Sequence, residues 1–189
     1  MKTRCGMKVP AAVLTLILIL AITSPDQVAG QTTMGILPVS FSSVSSSVLN
    51  AHQWQVISLQ LHDYLVMQLA GIGNVSKLSR EHILLLLKEI PAPDPENLDE
   101  EAYKIISKKE KLHYLLKCSI ESIQVTGNNV LAPVRVIIVD DHTGKVFWED
   151  IVKKSRIISG TDVNEQNLLN DVFKPSVDEI SKEIKTLKF

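Results

Sequence analysis

The stretch that most limits how this chain can fold is Val130 to Ile157, VLAPVRVIIVDDHTGKVFWEDIVKKSRI. Arg135 to Val139 is apolar at consecutive positions apart from the arginine at its start. A strand with one wet face alternates apolar with polar residues, whereas a strand covered on both faces does not. The run therefore predicts a strand with cover on both sides. Asp141-His142-Thr143-Gly144 follows, with Gly at the fourth place, where a type I turn closing into a bulge needs positive φ. Val146, Phe147 and Trp148 are good strand formers and start a second strand. The whole reads as a β-hairpin around which one small domain is built.

Asp140, Asp141 and His142 are the one place where acid, acid and imidazole stand together. A metal-assisted hydrolase would need them to converge. Neighbouring strand residues point to opposite faces, and no second ligand cluster stands out elsewhere, so a plain turn is expected. No catalytic residue, metal ligand or cofactor site is assigned. Cys118 lies in Leu112 to Val125, which reads as a strand; Leu112, Tyr114, Leu116, Cys118 and Ile120 share one face by alternation. A reactive thiol wants a cationic, accessible setting. Cys118 is instead expected in the apolar layer, with His113 on the opposite face.

The chain opens with Lys2, Arg4 and Lys8, then an apolar run from Val9 to Ile22 interrupted by Thr15, then Val28-Ala29-Gly30. This is the layout of a secretory signal peptide cleaved after Gly30. The run of about 14 residues makes roughly 21 Å of helix, short of a ~30 Å hydrocarbon core; an uncleaved anchor is the alternative. Residues 31–189 are expected to form a single α+β domain without a transmembrane span. Cys118 is the lone cysteine after the leader, so the core must stabilise the fold unaided by an intrachain disulfide. The formal charge is −1, and the leader holds three of the basic residues against Asp26. What remains has no excess of basic residues to offer nucleic acid.

Along the rest of the chain, Met34 to Phe41 reads as a short strand in which Pro38 demands an edge position or a bulge. The Ser-rich 42–47 suits a loop that caps a helix. Trp54, Ile57, Leu61, Leu65 and Leu69 recur at steps of three and four, predicting a helix from Val48 to Ala70, ended by Gly71 and Gly73. His52 and His62 are read as surface or boundary residues of that helix. Asn74 to Leu78 reads as a strand, and Ser79 as the cap of a helix from Arg80 to Ile90. The Pro-rich 91–95 is a stiff connector. Leu98 to Lys111 is a helix with acids at its start and lysines at its end, matching the helix dipole. A last helical region follows Asp162, with Pro175 kinking or splitting it near Lys174.

The order is β-α-β-α-α-β-β-β-α: an α+β fold, with a mixed, largely antiparallel sheet and helices packed mainly on one face. This order, together with Gly35-Ile36-Leu37-Pro38-Val39-Ser40-Phe41, Ser79-Arg80 leading into Leu86-Leu87-Lys88-Glu89, Tyr114 to Ile120, and Val136 to Trp148, resembles a family of bacterial envelope domains. That family includes the core of the curli secretion channel subunit, the lipoprotein activators of penicillin-binding proteins and the TolB N-terminal domain. Channel subunits and activators of this kind are lipoproteins, whereas Cys5 precedes the apolar run, and Cys118 stands where the family often has Gly. The resemblance implies the fold and a periplasmic setting and brings no catalytic residues. The expected function is an exported, non-enzymatic adaptor that binds another envelope protein. A ring-forming subunit of an outer-membrane secretion or assembly complex and a metal-assisted hydrolase are the alternatives.

Overall fold

In a computed structural model, the described residues are 32–41, 48–90, 98–160 and 163–189. The leader, the Ser-rich 42–47 and the Pro-rich 91–95 lie outside them. The strands are β1 (Thr33–Ile36), β2 (Ser40–Phe41), β3 (Asn74–Lys77), β4 (Tyr114–Ile120), β5 (Gln124–Thr126), β6 (Asn129–Leu131), β7 (Val134–Asp140), β8 (Val146–Val152) and β9 (Ser155–Ile157). The helices are α1 (Ala51–Leu69), α2 (Arg80–Leu86), α3 (Glu100–Glu110), the single turn α4 (Glu165–Asn167) and α5 (Lys174–Ile184), with a π-helical stretch, Leu168–Phe173, joining the last two.

The main sheet runs β3-β1-β4-β7-β8, and β2 pairs with β4 beyond the end of β1. The β1–β3, β1–β4 and β2–β4 ladders are parallel; β4–β7 and β7–β8 are antiparallel. The antiparallel ladders are the longer ones, so the sheet is mixed and, by paired residues, mostly antiparallel, as the element order implied. β5, β6 and β9 form a second, three-stranded sheet that the sequence reading did not separate. It is the far end of the same hairpin. Val134 faces Val152 in the main sheet, and Leu131 faces Ser155 in the small one, so the register runs through unbroken. The ladder is interrupted at Ala132-Pro133, where proline has no N–H to give. Three-residue strands carry too short a pattern to be read as separate elements.

α1 presents Trp54, Ile57, Leu61, Leu65 and Leu69 to the sheet, as its spacing predicted. The π-helical stretch and α5 pack beside it, with Phe173 fully buried. Leu116, Cys118, Val136 and Ile138 meet them from the strands. A smaller cluster lies on the other face, where Ile83, Leu87 and Ile106 of the α2–α3 pair cover Leu37 and Leu115. This second layer reaches only part of the sheet. On that face of β7, Val139 is buried, but Ile137 and Arg135 are half-exposed. The cover expected on both sides of β7 thus exists only at its C-terminal end. Arg135, an arginine at the start of an otherwise apolar run, donates from Nε to Glu121 at 2.6 Å and pairs with Glu149 as well.

The ends of the helices are set by local chemistry. Asn50, rather than the serines before it, caps α1 and forms a reciprocal capping box with Gln53. Asp99 and Ser79 cap α3 and α2. α1 ends on Ala70 in a right-handed conformation, so Gly71 and Gly73 do not act as a left-handed stop. Gly73 serves a different need: a Cβ there would sit 2.4 Å from the Thr32 carbonyl oxygen, and only glycine lets the two backbones pass. Pro175 sits in the first turn of α5 without breaking the helix. The Lys174 N–H reaches back five residues to the Leu169 carbonyl, so the π-helical stretch absorbs what was expected to be a kink.

Candidate binding groove

The geometry of the groove begins at Pro38. The strand that opens at Thr33 stops at Ile36 and resumes only at Ser40, because proline cannot continue the ladder. Two carbonyls that bound the break, those of Ile36 and Val39, accept from α1. The Ser58 hydroxyl donates to the Val39 carbonyl at 2.6 Å, and one turn later His62 Nε2 donates to the Ile36 carbonyl at 2.9 Å. Residues four apart lie on the same helix face, so Ser58 and His62 grip one segment together. Ile36 also accepts from the Leu78 N–H at 3.0 Å, which ties the start of α2 to the same place.

The result is a cleft of about 490 Å³ between Pro38–Phe41, the Trp54–His62 part of α1, and Lys77–Glu81. Two other hollows, of about 560 and 530 Å³, are more open to solvent and less apolar in their lining. The floor of the groove is aromatic: Phe41 and Trp54 lie with centroids 4.9 Å apart, and Phe41 meets Phe173 edge-on at 6.3 Å. Leu59 stands at the rim, 53 % exposed. Lys77, paired with Asp63 at 2.5 Å, and Glu81 give the rim charges of both signs.

Two polar groups in this wall are out of the ordinary. His62, expected at the surface or its boundary, is only 2 % exposed. Burial pushes its pKa below the ordinary value, against the opposing effect of the Ile36 carbonyl, so the ring is neutral with its proton on Nε2. Its place directly after Leu61 and four residues after Ser58 was the available signal that it borders the buried stripe. Trp54 is 9 % exposed, and its indole N–H has no acceptor among the described residues. A buried donor without a partner costs roughly 1–3 kcal/mol.

The residues singled out from the sequence lie elsewhere. Asp140 accepts from the Thr143 N–H at 2.9 Å and its hydroxyl at 3.0 Å; the backbone bond holds its carboxyl below the ordinary range. Gly144 follows with φ 68°, as the turn requires. Asp141 and His142 pair at 3.0 Å in that turn, with His142 projecting into solvent. The three side chains are thus used by the turn and do not converge on a common point, and no cluster of three metal-ligating side chains forms among the described residues. Cys118 is fully buried in the main core, and burial pushes its thiol up to about 12. His113 accepts from the Thr33 N–H through Nδ1 at 3.2 Å and so braces β1. His52 is exposed on α1.

The fold is that of a known class of α+β domain. The chain superposes on the hypothetical protein CT253 from Chlamydia trachomatis with a TM-score of 0.51 and 15 % identity, over 82 % of this chain and 96 % of that one. Two further structures align less closely. PelC, solved as a dodecamer from Paraburkholderia phytofirmans, aligns at 12 % identity and TM-score 0.47, over 80 % of this chain and 85 % of PelC. The LpoB C-terminal domain from Salmonella enterica aligns at 15 % and 0.43, over 73 % and 93 %. No protein-family model and no curated protein matches the sequence. At 15 % identity it is the fold that CT253 shares with this chain.

Proposed function

We propose that this chain is an exported, non-enzymatic module of the cell envelope that binds another envelope protein through the groove between β2, α1 and α2. The observation that carries this reading is the groove itself: an aromatic floor, a half-exposed leucine at its rim and a buried indole donor in its wall. Apolar pockets with a few convergent polar groups are the usual form of a binding site. A peptide segment with one large apolar side chain would fill the floor. The basic, apolar and small-residue pattern of residues 1–30 supports export, with cleavage after Gly30 and residues 31–189 folding as one domain.

Purification from intact envelopes tests the reading. The wild-type protein is expected to bring down one envelope protein reproducibly, and Leu59→Asp to lose it while keeping the wild-type circular dichroism. A wild-type protein that elutes alone, or a Leu59→Asp variant that retains the partner, contradicts it.

A further inference from the structure

We infer that the outer edge of β8 is the seam of a two-fold dimer of this chain, antiparallel and centred on Ile151, a surface separate from the groove. β8 pairs with β7 alone, and its other edge carries no strand among the described residues. Centred on Ile151, the seam joins Asp150 to Val152 of each β8 together with the Lys153-Lys154 that follows, and a bare edge invites a further strand unless charge or proline prevents it. The charges here are ordered. Glu149-Asp150-Ile151-Val152-Lys153-Lys154 runs from acidic to basic, so a copy laid antiparallel brings acid opposite base at both ends.

A two-fold axis perpendicular to the sheet keeps the same faces on the same side, which restricts the register to partners of matching parity. With Ile151 on the axis, Glu149 faces Lys153 of the second copy, and the reverse pair follows by symmetry. The side of the sheet on which this happens carries Lys117, Arg135, Glu149 and Ile151, by the register of β4, β7 and β8. There, Arg135 serves two carboxylates, Glu121 and Glu149, and leaves the trio with a net negative charge. Glu149 is still 38 % exposed at its side chain. Lys153 is exposed and has no ion-pair partner among the described residues. A second copy brings a further cation, Lys153, to each Glu149. Lysines on an edge strand ordinarily repel another edge; here the register sets them against acids instead.

The test uses the full chain with Cys5→Ser, so that the added cysteine is the only accessible one. Sedimentation is expected to show a monomer–dimer equilibrium that weakens as salt is raised. Ile151→Cys is expected to give a disulfide-linked dimer on mild oxidation, since residues on the axis lie within bridging distance. Lys153→Glu sets like charges opposite each other and is expected to weaken the dimer at least about tenfold. Glu149→Lys combined with Lys153→Glu restores it. A monomer at every concentration used for the crosslinking overturns the inference. So does a dimer that neither crosslinks through Ile151→Cys nor responds to Lys153→Glu.

Discussion

His62 has the most to lose from a change of pH. Its folded pKa lies below that of the unfolded chain because charging a buried ring is unfavourable. Between the two values the unfolded state binds more protons, so stability falls as pH drops through about 6.5 and is fully present above it. The denaturant midpoint is expected to fall between pH 7.5 and 5.5 by more in the wild type than in His62→Gln, which keeps an amide donor for the Ile36 carbonyl. Equal falls in both proteins would mean that His62 is not the group responsible. Cys118 makes a second prediction at this scale. A thiol at about 12, with no solvent contact, is expected to resist thiol-specific reagents at pH 8 until the protein unfolds. Labelling of the native protein at the unfolded rate would contradict its burial. The inertness of Cys118 was legible from alternation alone, because strand parity assigns a face to each residue. The burial of His62 was not. It depends on a carbonyl 26 residues away, that of Ile36 at the end of β1, which no local pattern in α1 announces.

At the scale of elements, α1 has a buried stripe on one side and a working rim on the other. Leu61 is fully buried and Leu59, two residues earlier, is half-exposed. Leu61→Ala is expected to cost about 2–5 kcal/mol in chemical denaturation, as core leucines do. Leu59→Ala is expected to stay within about 0.5 kcal/mol of wild type. Comparable losses in the two variants would mean that the helix face is assigned wrongly. The stripe was readable because five apolar residues, Trp54 to Leu69, repeat at helical spacing within a nineteen-residue helix. The hairpin was readable for a related reason, since an apolar run and a Thr-Gly turn are strong local signals. The bend that makes the second sheet left no such trace. β5, β6 and β9 have three residues each, and the break between the sheets is one proline in a continuous register. The groove is least local of all, being assembled from a proline, two α1 side chains and the start of α2.

For the molecule as a whole, the mixed sheet carries two unequal helical layers, and the functional reading rests on what their meeting leaves open. The larger layer, α1 with the π-helical stretch and α5, seals one face. The α2–α3 pair covers part of the other, and the cleft opens where α1 and the start of α2 flank the Pro38 break. No helix among the described residues is long and apolar enough to cross a membrane. The Asp141–His142 pair projects from the far hairpin turn, so Asp141→Ala with His142→Ala is expected to leave partner binding unchanged in a co-purification assay; lost binding would move the site to that turn. The most direct measurement places a photo-activated crosslinking residue at position 59 or, as a control, at exposed position 142, and irradiates living cells. One envelope-protein adduct is expected from position 59 and none of it from position 142. No adduct from position 59, or the same adduct from both positions, would contradict binding through the groove.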